Sequence, residues 1–322
     1  MDKKIYGQGH DRIIPDPLLA AQIFHKIYEK KLDVALTPNI ALADADFEDS
    51  LVCGSKVTFI SRNTIDESIL QDTQSNEDPE TDTITLCPQE VEICGSKDFQ
   101  IKLSVHQLRK LMCEGLDGVY FDTVERTISD TMDKVWDESH LAHMLMMASA
   151  INTGNTALEG LTNLGSPDNP IIIPADRTAG AEMLEDVITR LQLVLQTHNA
   201  MTFSGDTALV LPTLAANRAL PIFRDLNMCC GADNIRVKGQ LEKTIYGFDT
   251  YQTNRRVLTT VHNGRRIFYI IAADKYASGF VTDVYNYKWW EDKRDWYLVG
   301  TEVHGSYVVQ PDHVAVAVVT FA

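Results

Sequence analysis

The sequence predicts an α+β fold, and three observations carry that prediction. Residues 123–148 repeat apolar side chains at three- and four-residue steps, the period of an amphipathic helix. From residue 222 to the C-terminus the chain is largely strand-like. Between them in character stands the stretch 63–96, which has nine acids and no lysine or arginine and cannot build a hydrophobic core of its own.

The chain opens with "DPLLAAQIFHKIYEKK" at 16–31, where Leu18, Leu19, Ile23 and Ile27 fall near one side of a short helix. It then runs into "LDVALTP", which reads as extended, so the opening is expected to be an arm. Strand patterns follow at 51–59 and again at 91–103, where Ile93, Phe99, Ile101 and Leu103 alternate by even steps. The acids between them are Asp66, Glu67, Asp72, Glu77, Asp78, Glu80, Asp82, Glu90 and Glu92. Such a segment is expected to project from the body as a long hairpin that becomes ordered on a partner surface.

In the rod, Val124, Ile128, Met132 and Val135 form the apolar stripe, with Glu125, Arg126, Asp130, Asp133 and Lys134 on the other sides. A second helix is expected over 178–196 through Met183, Leu184, Val187, Leu191, Leu193 and Leu195. "TALVLPT" reads as a short strand and "PTLAANRALPIF" as a short helix bounded by Pro212 and Pro221. The last run, "HVAVAVVTFA", is apolar on both sides over 314–319, the pattern of a central strand buried between layers.

Composition excludes several classes. The 322 residues are 44% apolar and 23% charged, so neither a disordered nor a fibrous chain is expected. Forty-five acids against 29 bases give a net charge of -16, which argues against a broad nucleic-acid-binding face. No apolar run is long enough to cross a bilayer, and the start "MDKKIYGQGHDRIIPD" lacks the apolar segment of a signal peptide, so a cytoplasmic protein with no membrane partner is expected. The cysteines, Cys53, Cys87, Cys94, Cys113, Cys229 and Cys230, lack Cys-x-x-Cys spacing and read as reduced and mostly buried.

Cys-Gly-Ser-Lys occurs twice, at 53–56 and 94–97. It is not a phosphate-binding loop, because a serine separates Gly54 from Lys56 and strands flank both copies. Gly54 and Gly95 read instead as turns or bulges at the base of the acidic hairpin. His140 and His143, with Glu138 before them, have His-x-x-His spacing but no convergent third and fourth ligands, and are expected at a surface or interface. Cys229 and Cys230 are adjacent and read as a turn. Asp206 and Asp249 lack a second acid or nucleophile at diagnostic spacing. "NRR" at 254–256 and "NGRR" at 263–266 suit either phosphate or acidic neighbours. "KWWEDKRDWY" at 288–297 reads as a core or subunit-interface ridge. No catalytic residue, metal site or cofactor is expected, and the chain is read as a structural protein rather than an enzyme.

In their order along the chain, "DPLLAAQIFHKIYEKKLDVAL", "GSKVTF" before the acidic excursion, "FQIKLSVHQL" after it, and "FDTVERTISDTMDKVWDESHLAHML" resemble the major capsid protein of tailed phages. "DTALVLPTLAANRAL", "YGFDTYQTN" and "VHGSYVVQPDHVAVAV" extend the resemblance over nearly the whole chain, closest to the short podovirus-like form. It implies the Hong Kong 97-like capsid fold. Its parts are an N-terminal arm and leading strand at 1–60 and an extended acidic E-loop at 61–97. A peripheral domain with the spine helix is implied at 98–160 and 236–295, and an axial domain at 161–235 and 296–322.

The same resemblance implies hexamers and pentamers in an icosahedral head around double-stranded DNA, a portal protein at one vertex, room for a decoration protein, and a virion location after assembly in the bacterial host cytoplasm. The arm starts within about 16 residues of Met1, so a separate scaffolding protein is expected. Some relatives weld their shells by an isopeptide bond from an E-loop lysine to a neighbour's asparagine; with no lysine in 63–96, a noncovalent shell is expected here. An encapsulin-like compartment shell is the nearest alternative, and an unrelated α+β enzyme the more distant one.

Overall fold

A computed structural model describes residues 36–43, 55–60, 88–93, 95–104, 117–151, 163–174, 183–198, 200, 207–217, 244–245, 247–292 and 295–322. In chain order the elements are α1 (Thr37–Ile40), β1 (Leu42–Ala43), β2 (Lys56–Ile60), β3 (Pro88–Glu92), β4 (Gly95–Ser104) and α2 (Asp117–Ile151). Then come β5 (Ile171–Ile173), α3 (Leu184–Thr197), β6 (Thr207–Pro212), β7 (Thr244–Ile245), β8 (Phe248–Thr253), β9 (Thr259–His262) and β10 (Arg265–Asp274). β11 (Ser278–Asp292), β12 (Asp295–Val308) and β13 (Val314–Phe321) complete the chain. The fold is α+β, as the sequence predicts.

α2 is the rod. Its 35 residues extend about 52 Å at 1.5 Å per residue, beyond the 123–148 expected from periodicity. Neither proline nor a glycine after Gly118 interrupts it. Thr127 and Thr131 return their hydroxyl protons to the carbonyls four residues earlier, at 2.9 and 2.7 Å, so these β-branched residues leave no unsatisfied polar group. The expected second helix is α3. Its first turn carries Glu185 and Asp186, and an Asp186 carboxylate oxygen accepts the Met183 amide at 2.8 Å.

The larger sheet orders its strands β5-β13-β10-β6-β8-β7, with β9 added beside β10. Successive side chains leave opposite faces of a strand, and here both faces are covered. Leu209, Ile270, Ala272, Ala315, Ala317 and Val319 face α3, where Val187, Ile188, Leu191 and Leu195 are buried. Val210, Ile271, Ala273, Val314 and Val316 face the other way, onto Leu141, Met144 and Ala148 of α2. β13 lies between β5 and β10 and is buried over its first six residues, so the two-sided apolar run is the central strand it was expected to be.

The smaller sheet orders β1-β11-β12-β4, built around the long β11–β12 hairpin. β2 and β3 form a separate antiparallel pair from Lys56↔Glu92 to Ile60↔Pro88. Two expectations need correction. The strand pattern over 91–103 is two strands, because β3 pairs with β2 whereas β4 crosses to β12. The "LDVALTP" segment, where described, ends in the one-turn α1 with proline near its start, not in extended chain. β8 to β10 share the larger sheet with β5, β6 and β13, and β12 shares the smaller one with β11 and β4. Hydrogen-bonded partners far apart in sequence, not position along the chain, define those groups. The 16–31 arm helix, the centre of the acidic segment and all six cysteines lie outside the described residues.

Candidate assembly surface

The paired arms β2 and β3 are the described base of the acidic hairpin. The amide of Ile93 donates to the Ser55 carbonyl at 2.9 Å, tying the stretch after one strand to the start of the other. Ile93 is buried with Val57, Val281, Val303 and Val309, which seats the base on the smaller sheet. The two Cys-Gly-Ser-Lys copies therefore flank one structural feature. Gly95 is there for close approach, since a Cβ would stand 2.5 Å from Nε2 of the buried His304 ring. Gly54, Cys53 and Cys94 lie outside the described residues.

Between rod and sheet the packing is polar. Residues three, four and seven apart share a helix face, and α2 turns Asp133, Trp136, Asp137 and His140 inward, all buried. β12 answers with Glu302, His304 and Ser306, alternate residues on one strand face. The Trp136 indole N–H donates to Glu302 Oε1, and that same oxygen lies 2.9 Å from His304 Nδ1. His140 sits between two hydroxyls, Ser306 Oγ at 2.7 Å from Nδ1 and Ser278 Oγ at 3.2 Å from Nε2. A neutral imidazole satisfies both contacts, one ring nitrogen donating to a hydroxyl and the other accepting from one. Burial, with the neighbouring His143 as a lesser cause, holds the His140 pKa down to about 3. Burial also lowers His143.

Asp137 joins three elements. One of its oxygens accepts the Thr37 amide at 3.0 Å and the Thr37 hydroxyl at 2.8 Å. The other accepts Arg255 Nε and Nη2 at 2.9 and 2.6 Å. The chain after the arm, the rod and the β8–β9 connection are thus held by one buried carboxylate.

The sequence candidates separate accordingly. His140 is a buried, hydrogen-bonded core residue rather than a surface or interface one, because it lies four residues after Trp136 and four before Met144 on the inward face. His143 is half-buried beside Tyr307. Among the described residues no group of three or more histidines, cysteines or acids is placed to hold a metal ion. Asp249 makes an ion pair with Lys275 at 3.5 Å, and Asp206 lies outside the described residues. Arg255 serves Asp137, the acidic-neighbour alternative for "NRR". The "KWWEDKRDWY" segment forms the closed end of the β11–β12 hairpin, with Trp289 opposite Leu298 and Trp290 opposite Tyr297. Sequence reasoning missed Asp137, Glu302 and His304. The helical spacing 133–136–137–140 was the available signal for the first; the strand partners had none that is local.

The chain matches no protein-family model and no curated protein. Solved structures do match it over nearly its full length. A chain from Mycobacterium phage Che8 is 12% identical, with 98% of each chain covered and a TM-score of 0.51. The virus-like particle from Pyrococcus furiosus is 10% identical, covering 94% of this chain and 98% of that one, with a TM-score of 0.50. A chain of the satellite phage P4 procapsid, solved with its size determination (Sid) protein, is 9% identical, covering 99% and 94%, also at 0.50. The chain has the Hong Kong 97-type phage capsid fold. No helix among the described residues is long and apolar enough to cross a membrane.

Proposed function

We propose that this chain is the major capsid protein of a tailed phage, a structural and not an enzymatic role. In this reading it assembles into hexamers and pentamers that form an icosahedral head around double-stranded DNA. The observation that carries it is the end-to-end match of fold to the phage and procapsid chains. A long acidic segment leaving the body on a two-stranded stem supports it, since that segment has no core of its own and is suited to lie on neighbouring copies. The peripheral domain is α2 with the β1-β11-β12-β4 sheet, and the axial domain is α3 with the larger sheet. A separate scaffolding protein during assembly, a portal at one vertex and a site for a decoration protein complete the set of partners. Assembly takes place in the bacterial host cytoplasm.

A second reading, a compartment shell without a genome, is favoured by the match to the Pyrococcus furiosus virus-like particle. Negative-stain electron microscopy of the purified assembly, with nuclease-protected nucleic acid measured on the same sample, separates the two. Closed shells holding DNA are expected. Shells holding protein cargo instead transfer the chain to the second reading, and a uniform monomer in the presence of scaffold overturns both.

A further inference from the structure

The β9–β10 hairpin turns through two residues. His262 pairs with Arg265, and Asn263 and Gly264 between them have φ of 49° and 76°, the left-handed pair that two-residue hairpin turns require. A Cβ added at Gly264 meets nothing within 4 Å, so the tip stands clear of the described residues. Register sets Arg266 beside Val261, itself 66% exposed, on one face and Arg265 beside His262 on the other. The Thr320 hydroxyl anchors the strand through the Arg266 carbonyl at 2.9 Å. Both guanidinium groups are exposed, and neither makes an ion pair among the described residues; the nearby acid, Asp168, is 2.7 Å from His262 Nε2 instead.

We propose that this rigid two-arginine tip receives the acidic segment 63–92 of a second copy of the chain. The inference rests on the shell reading above and names the surface the segment docks on. Charge complementarity is the argument: the segment holds nine carboxylates and no cation, in a chain of net charge -16. Like charges along it repel, and guanidinium–carboxylate pairs relieve that repulsion with charge-assisted, often two-pronged hydrogen bonds. The tip is already ordered by its turn, so little conformational freedom is lost there. Exposed Val261 beside Arg266 offers an apolar contact to Ile65, Ile69, Ile84 or Leu86 of the segment. One donor segment and one receiving tip per copy make a head-to-tail contact, the kind that closes rings. A nucleic-acid phosphate is the less favoured occupant, because two arginines on a strongly acidic chain supply few neutralising charges.

The test uses the full chain carrying Arg265→Lys and Arg266→Lys, assembled from a mixture of unlabelled and nitrogen-15-labelled copies. A water-soluble carbodiimide then joins lysine amines to adjacent carboxylates, and mass spectrometry identifies the joined peptides. Linkages between 265–266 of one copy and 63–92 of the other isotope are expected, together with about a tenfold fall in shell yield for Arg265→Glu/Arg266→Glu that the lysine pair does not show. Intact shells whose linkages are absent, or lie only within one copy, overturn the proposal alone. Glutamate variants that assemble normally and lose only nuclease-protected nucleic acid overturn it in favour of phosphate. No shells from the unsubstituted chain overturn the shell reading and this inference with it.

Discussion

One oxygen of the Asp137 carboxylate takes the amide and hydroxyl of Thr37 and the other takes Arg255, so a single substitution unties three segments. Asp137→Ala strands a mostly buried guanidinium, and breaking a pair of this kind costs about 3 kcal/mol. Urea midpoints check this, with Asp137→Ala/Arg255→Met expected to recover part of the loss because no charge is then left unpaired. A fully additive double variant would refute the coupling. His140 sets a second expectation. The unfolded chain binds a proton at this residue as pH falls through 6.5, whereas the folded chain resists until about 3. Its contribution is therefore complete above 6.5 and drains as pH drops, at up to about 1.4 kcal/mol per unit. His143 and His313, also lowered by burial, act in the same direction. His140→Gln, which keeps an amide for the two serines and does not titrate, should show a shallower loss from about pH 7 to about pH 4.5. An unchanged slope sinks this account. Helical spacing alone places His140 with Trp136, Asp137 and Met144, so its burial was legible. The His-x-x-His spacing obscures it, because the two rings differ in burial, His140 fully and His143 half.

At the scale of elements, Gly95 marks where the acidic hairpin hands the chain to the smaller sheet. Gly95→Ala drives a methyl to within 2.5 to 2.7 Å of three atoms of the His304 ring, which is 7% exposed and held by Glu302. Gly300→Ala meets only the far end of the half-buried Phe99 side chain, not backbone. The first should cost roughly 1–3 kcal/mol and the second less; equal urea midpoints would contradict the difference. Elements with strong periodicity, α2, α3, β6, β10 and β13, were legible because one repeat of apolar residues defines each. The break between β3 and β4 was not. Apolar residues keep their even spacing through Cys94, and only the change of partner from β2 to β12 separates the strands. The grouping of strands into two sheets was illegible for the same reason, since β6 to β8 and β12 to β4 pair across long stretches of chain.

For the whole molecule, the capsid fold was legible from the order of its segments, while the polar seam between rod and sheet was not, because each of its partners reads alone as an ordinary charged or hydroxyl residue. The last expectation concerns how copies stay together. The segment 63–96 has no lysine, and the lysines that bound it, Lys56 and Lys97, sit in β2 and β4 at the base of the stem, Lys56 paired in register with Glu92. Both are fixed to the body by strand pairing, and the segment between them carries no lysine, so it brings no amine of its own to a neighbouring copy. Cohesion then falls to many modest contacts repeated by symmetry, among them the arginine tip, and those contacts weaken with salt where they are exposed. Purified mature shells boiled in detergent should run as a single band at the 36.1 kDa chain mass. A ladder of covalent multimers would place a bond-forming lysine elsewhere in the chain and remove the noncovalent account.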